Sequence, residues 1–152
     1  MARAKLSAHF PAPAARSRKL QRLPRTLRPP TMKKAAEVEG AVDVEPRPGG
    51  RFHCDIRDDA VISGEYVAVE PPARIVFSWG WEGEDSVTPP GSSTVEVLLA
   101  ADGDGTHLRL IHSDLPSEES ATKHGHGWRH YLDRLATAAS GGDPGADKFG
   151  SA

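Results

Sequence analysis

Apolar and polar residues alternate most clearly in the stretch from Arg74 to Trp81. Every second position of this stretch carries a large apolar side chain, at Ile75, Phe77, Trp79 and Trp81. That period of two places the four side chains on one face of a β-strand. The extended run Val61 to Val69 precedes it, and the intervening Pro71 and Pro72 cannot donate backbone hydrogen bonds. The pattern predicts a β-hairpin whose apolar face must be covered by another part of the chain.

Four more stretches have the extended pattern and are bounded by turn residues. They are Ala41 to Glu45, Arg51 to Arg57, Thr94 to Ala100 and Thr106 to His112. In the last of them Leu108 and Leu110 fall on the same face as His112. Because consecutive strands are joined by short connections, the sequence predicts an antiparallel meander of six strands.

A later stretch has the period of a long helix. Ser117 is its predicted N-cap, and Glu118 and Glu119 complement the helix dipole in the first turn. Apolar and aromatic residues follow at three- and four-residue spacing: Ala121, His124, Trp128, Tyr131, Leu132, Leu135 and Ala138. Gly125 and Gly127 inside the helix cost roughly 1 kcal/mol each relative to alanine. We therefore expect either a close approach to the sheet or room for a ligand at these glycines.

A sheet with one apolar face and a single long helix predicts an α+β fold, in which a curved antiparallel sheet wraps around the C-terminal helix. Because such a sheet is concave, the space beneath the helix can form a ligand cavity. The residues expected to line it are Phe77, Trp79, Trp81, Leu108, Leu110, His112, Trp128 and Tyr131. The alternative is that these side chains simply fill the core.

Residues 1–39 differ in composition from the remainder of the chain. Residues 1–36 contain ten Lys and Arg and no acidic residue, and prolines interrupt the short apolar runs, so no helix or strand is predicted there. Three interpretations stay open: a disordered basic arm, an organelle-targeting segment, and a mis-started or frame-shifted segment that is not native to the fold. The predicted organisation is this segment, a folded domain over residues 40–140 and a flexible tail over residues 141–152.

Charge and composition argue against several classes of partner. The part of the chain after residue 36 has nine basic and 21 acidic residues, and this negative charge argues against nucleic acid as a partner of the folded domain. No apolar run approaches the ~18 residues that a membrane helix needs, so no membrane partner is expected. Cys54 is the only cysteine and cannot form an internal disulfide, which indicates a reducing cytoplasm.

The reactive side chains form no strong catalytic or metal-binding pattern. His126 and His130 lie four positions apart on the predicted helix, close to His124, but the sequence lacks the HExxH arrangement of a helical zinc site. Cys54 and His53 point to opposite faces of their strand, so we interpret Cys54 as a small core residue. We predict no catalytic residue, no metal and no cofactor.

Several short motifs occur in an order that is typical of one family. They are Pro48-Gly49-Gly50, Gly64-Glu65-Tyr66, Pro71-Pro72 followed by Ile75 to Trp79, Gly105-Thr106, and His124 with Gly127-Trp128. Over about residues 41–146 the chain resembles the family homologous to the activator of the heat-shock-protein-90 ATPase. That family belongs to the START-like (SRPBCC, birch-pollen-allergen-like) superfamily. The resemblance implies a helix-grip fold with a hydrophobic cavity, in a superfamily whose members bind lipids, hormones or polyketides and include some cyclases.

The N-terminal part of the family pattern has no counterpart in residues 1–40. Members of the family begin with a strand, which is followed by two short helices and a tryptophan. The resemblance therefore implies that the N-terminal strand and helices are missing, which leaves a sheet edge and one wall of the cavity open.

Three functions are compatible with these patterns. The first is binding of a small hydrophobic molecule in the cavity, without catalysis. The second is a co-chaperone-like interaction domain whose partner is a chaperone, and the third is a polyketide-cyclase-like enzyme with His112 and Tyr131 as acid/base candidates. We expect the first. The sequence leaves the ligand and the oligomeric state open.

Overall fold

A computed structural model describes residues 1–10, 42–57 and 60–145, which contain seven strands and one long helix. The elements are β1 (Ala2–Phe10), β2 (Val42–Val44), β3 (Arg51–Arg57), β4 (Ala60–Glu70), β5 (Arg74–Trp81), β6 (Ser93–Asp102), β7 (Gly105–Leu115) and α1 (Glu118–Ala139). No helix in these ranges has the length and apolar character needed to cross a membrane.

All seven strands belong to one curved antiparallel sheet with the order β1-β7-β6-β5-β4-β3-β2. Consecutive strands from β2 to β7 are neighbours, and β1 adds to the far side of β7, where Ser7 pairs with Arg109. Helix α1 packs mainly on β1 and β7. Tyr66 of β4 and Phe77 of β5 therefore lie on a part of the sheet that α1 covers little, whereas Trp79 and Trp81 of β5 contact the helix.

The predicted α+β architecture and all six predicted strands are confirmed. The predicted N-cap is also confirmed, because Ser117 is extended and its Oγ accepts a hydrogen bond of 3.0 Å from the backbone N–H of Ser120. The turn at Pro71 and Pro72 connects β4 to β5 as expected.

The prediction that no strand precedes residue 40 is wrong for Ala2–Phe10, which forms β1. The N-terminal strand that the resemblance implied to be missing is therefore present, and it pairs with β7 along its length. Its inward positions alternate with polar ones, but several of them are alanines, which are depleted in strands, so the local signal was weak. The rest of the predicted basic segment, from residue 11 to 41, and the tail beyond residue 145 lie outside the described residues.

Two clusters of buried residues hold the helix on the sheet. The larger cluster consists of Phe52, Trp79, Val95, Leu108, Leu110 and Leu132. The smaller one consists of Ala2, Ala4, Leu115 and Ala121. Small alanine side chains on β1 face Ala121 of α1, so the helix can approach this strand closely.

Of the two alternatives expected at the helix glycines, a close approach to the sheet that excludes a side chain is not found at Gly125. A Cβ atom at Gly125 would meet the Cβ of Ala4 at 3.9 Å, which is an ordinary van der Waals contact. At Gly80, in contrast, a Cβ atom would overlap the backbone carbonyl of Pro89. Glycine is thus required by packing at Gly80 but not by the described neighbours of Gly125.

We expect Gly125→Ala to raise the free energy of unfolding by roughly 0.5–1 kcal/mol, because alanine has the higher helix propensity and meets no clash. Gly80→Ala is the matched control and should lower stability, since the backbone of Pro89 would have to move. Urea unfolding followed by circular dichroism measures both. A destabilising Gly125→Ala would show that this position needs glycine for another reason.

Candidate ligand-binding site

Five aromatic side chains from the sheet and the helix meet beneath α1. We call Trp79, Trp81, His112, His124 and Trp128 the indole–imidazole cluster. Trp79 lies at its centre, with ring centroids 5.1 Å from Trp81, 4.9 Å from His112, 5.1 Å from His124 and 6.2 Å from Trp128. The rings of Trp79 and Trp128 are in contact, so no cavity lies between these two indoles.

His112 is fully buried and both of its ring nitrogens are hydrogen-bonded. The indole Nε1–H of Trp128 donates to His112 Nδ1 over 3.0 Å, so Nδ1 carries no proton. A neutral imidazole must then carry its proton on Nε2, which donates to Ser93 Oγ over 2.8 Å. Ser93 in turn donates to the backbone carbonyl of Trp79 over 2.7 Å. The four groups form a chain of hydrogen bonds from helix to sheet.

His124 forms the opposite connection, from sheet to helix. The indole Nε1–H of Trp81 on β5 donates to His124 Nε2 over 3.1 Å. The proton of His124 therefore lies on Nδ1, which is 2.7 Å from the backbone carbonyl of Ser120 and donates to it. The hydroxyl of Ser120 also lies 3.2 Å from this nitrogen.

The chain of hydrogen bonds fixes the chemistry available to His112. Burial, and secondarily the neighbouring His124, lowers the pKa of His112 from 6.5 to about 3. Because Nε2 carries the proton and donates it to Ser93, His112 cannot accept the Ser93 hydroxyl proton as a base would. The pair is therefore a neutral structural contact and not an activated serine nucleophile.

Among the described residues, two buried side-chain polar atoms lack a hydrogen-bond partner: Trp79 Nε1 and Thr88 Oγ1. Trp79 is 4% exposed and Thr88 is 1% exposed. Most buried polar groups in proteins are paired, so an unpaired indole N–H within an aromatic cluster is unusual. This is the feature of the site that the sequence did not indicate.

A second aromatic group lies beside the indole–imidazole cluster on β3, β4 and β5. The rings of Phe52, Tyr66 and Phe77 are arranged edge to face, with centroids between 5.3 and 6.0 Å apart. Tyr66 and Phe77 are only half-buried. An apolar aromatic surface therefore continues from Trp79 and Trp81 toward the β3 side of the sheet.

Comparison with known proteins identifies the family of this chain. Residues 37–140 match the family model described as activator of Hsp90 ATPase homolog 1-like protein, AHSA1. The chain belongs to the AHSA1 family. No curated protein matches its sequence.

Solved structures agree with membership of the AHSA1 family. The solution NMR structure of an AHSA1-like protein from Rhizobium etli is 38% identical, covers 99% of this chain and 89% of that chain, and has a TM-score of 0.67. Crystalline CalU16 from Micromonospora echinospora is 27% identical over 91% of this chain and 74% of its own, with a TM-score of 0.63. An HSP90 activator from Plasmodium falciparum is 19% identical over 88% of this chain and 92% of its own, with a TM-score of 0.57, and shares the fold.

The AHSA1 fold brings most of the predicted lining residues together. Phe77, Trp79, Trp81, Leu108, Leu110 and Trp128 all belong to the main core cluster or pack against it. His112 lies within the indole–imidazole cluster and is fully buried. Tyr131 instead packs its ring against neighbouring His130, with centroids 5.0 Å apart. For all eight residues, contact with a ligand stays a prediction.

The structure also shows the neighbours of the helix histidines and of Cys54, which the sequence did not favour as metal-binding or reactive residues. No group of three metal-ligating side chains is found in the described part of the AHSA1 domain, which includes His124, His126 and His130. Burial, followed by the charge of Asp55, raises the pKa of the Cys54 thiol. His53 bonds to Asp55 over 2.9 Å and not to Cys54. A protonated thiol with no histidine partner matches the interpretation of Cys54 as a packing residue.

The neutral state of His112 predicts a pH-dependent stability. The unfolded chain binds a proton on this residue near pH 6.5 and the folded chain only near pH 3, so the unfolded state binds more protons between these values. Its contribution to stability is complete above pH 6.5 and is lost as the pH falls toward 3, by at most about 1.4 kcal/mol per pH unit.

Urea unfolding at a series of pH values between 6.5 and about 5, above the range in which most carboxyl groups titrate, measures this slope. We expect His112→Gln to be less stable near neutral pH but to have a flatter slope than the wild type. His126→Gln, at an exposed position of α1, should keep the wild-type slope. Equal slopes for wild type and His112→Gln would contradict the assignment.

We expect Trp128→Phe to lower the free energy of unfolding by about 1–3 kcal/mol, because His112 Nδ1 would be left buried without a donor. NMR titration of the imidazole provides a more specific readout. With Trp128→Phe the pKa of His112 should rise, since a proton on Nδ1 no longer meets an indole N–H. Val67→Ala, at an exposed position on β4, serves as a control, and an unchanged titration of His112 would show that the Trp128 bond does not hold it neutral.

Proposed function

We propose that this AHSA1-family chain binds a small, mostly apolar molecule on the concave face of the sheet beside α1. It acts as a binding protein without a covalent step. Cytoplasmic location belongs to the same proposal and rests on the single cysteine of the sequence.

One observation carries the proposal: α1 packs on β1 and β7, while aromatic side chains of β4 and β5 stay half-buried next to it. These are Tyr66, Phe77 and Trp81, with Ile62 beside them. Burial of apolar surface contributes about 25 cal/mol per Å², and aromatic side chains supply large areas at little cost in conformational freedom. A partly exposed aromatic surface beside the helix is suited to a flat apolar ligand.

The predicted lining residues take different parts in this proposal. Phe77, Trp81 and Trp128 are half-buried and supply contact surface for the ligand. Leu108, Leu110 and His112 are buried in the core, so in this proposal they pack beneath the residues that contact the ligand. Trp79 lies between these two layers.

A co-chaperone-like role is the second candidate. Its support is the description of the family and the fold shared with the HSP90 activator from Plasmodium falciparum. It would use an outer surface and a chaperone as partner. A cyclase-like enzyme ranks below both, because the two ring nitrogens of His112 are already occupied by protein groups and a proton transfer would need one of them.

Titration with Nile red, a neutral apolar dye, tests ligand binding. We expect saturable dye fluorescence with quenching of tryptophan emission, and about tenfold weaker binding for Phe77→Ala, equivalent to about 1.4 kcal/mol. Val67→Ala is the matched control because Val67 is 62% exposed on the neighbouring strand. Circular dichroism must show that both variants unfold cooperatively.

Absence of saturable binding by the wild type would contradict the proposal. Capture of a purified Hsp90-type chaperone by the same protein, with no dye binding, would favour the co-chaperone role instead.

A further inference from the structure

Trp79 carries a buried hydrogen-bond donor that has no acceptor in the part of the chain that the structure describes. The side chain is 4% exposed and its Nε1 has no partner. The other two tryptophans of the chain are both paired, Trp81 with His124 and Trp128 with His112. An unpaired buried N–H is unfavourable, and an acceptor supplied by a ligand would remove that penalty.

The neighbouring imidazoles cannot supply the acceptor. His112 accepts on Nδ1 from Trp128 and carries its proton on Nε2, and His124 accepts on Nε2 from Trp81 and carries its proton on Nδ1. Each imidazole lone pair is therefore in use. The Trp79 N–H stays available for a molecule from outside the described residues.

The surroundings also limit the charge of that molecule. The rings that contact Trp79 are those of Trp81, His112, His124 and Trp128, and by the hydrogen-bonding pattern both imidazoles are neutral. An anionic acceptor would be buried without a counter-charge, which costs far more free energy than one hydrogen bond returns. A neutral carbonyl-type oxygen meets both requirements.

We infer that Trp79 Nε1 is a specificity determinant which selects, among apolar molecules, those with a neutral oxygen acceptor such as an aryl ketone or a quinone. This inference rests on the proposed ligand-binding function. Trp81 and Trp128 are half-buried and contact Trp79. In this proposal one of these two rings moves aside to admit the ligand, which breaks its hydrogen bond to His124 or His112, and the free energy of ligand binding offsets that loss. Phe77 and Trp81 then contact the apolar rings of the ligand.

The test uses two probes of almost the same shape, fluorenone and fluorene, which differ in a carbonyl group against a methylene group. Isothermal titration calorimetry measures both dissociation constants for the wild type and for Trp79→Phe. Comparison of this ratio between the two proteins cancels the difference in hydration between the two probes. We expect the preference for fluorenone to fall by about tenfold in Trp79→Phe, the effect of about one hydrogen bond, 1.4 kcal/mol.

A second measurement needs no change at Trp79. The chain has three tryptophans, so three indole N–H resonances are expected in a proton–nitrogen correlation spectrum. Loss of one resonance in Trp81→Phe and of another in Trp128→Phe assigns the third to Trp79. Fluorenone should shift the Trp79 resonance downfield in the wild type, and fluorene should not.

The outcomes separate the two claims. If both probes bind but their ratio is the same in wild type and Trp79→Phe, and the Trp79 resonance responds to both alike, the inference is wrong and the binding function stands. If neither probe binds the wild type, the proposed function is wrong and the inference with it. If Trp79→Phe does not fold, the response of the wild-type resonance alone decides.

Discussion

The pairing of indole N–H groups with neutral imidazoles determines how the helix sits on the sheet. Trp128 of α1 donates to His112 of β7, and Trp81 of β5 donates to His124 of α1. The two bonds run in opposite directions across the same interface. Because a buried polar group without a partner is costly, a helix shifted along or rotated on its axis would break both bonds at once. Apolar packing alone would not specify one position so strictly.

These bonds also make the interior free of charge. Each histidine has a fixed tautomer because one nitrogen must accept an indole proton while the other donates. Protonation of either imidazole would place a second hydrogen against the indole N–H. The same feature that orients the helix therefore occupies both ring nitrogens of His112, so this residue is not free to act as an acid, a base or a nucleophile.

The position of α1 depends on β1. Alanines at positions 2 and 4 allow the helix to approach the strand, and Arg129 donates to the backbone carbonyl of Ser7 over 3.1 Å. Because the helix lies over β1 and β7, the aromatic surface of β4 and β5 stays partly open beside it. The proposed binding surface is thus a consequence of where the helix is held.

The sequence by itself determined the elements and the faces, because these depend on local periodicity. The alternation from Ile75 to Trp81 and the helical spacing from Ala121 to Ala138 define which side chains turn inward wherever the elements are placed. Only the tertiary structure decided which of these side chains form hydrogen bonds with each other. Trp81 and His124 are 43 positions apart, and no local pattern indicates that one donates to the other or that Trp79 between them stays unpaired. The strand Ala2–Phe10 was missed for the same reason. Its alanines have a low strand propensity, and only pairing with β7 and packing under α1 place them in a strand.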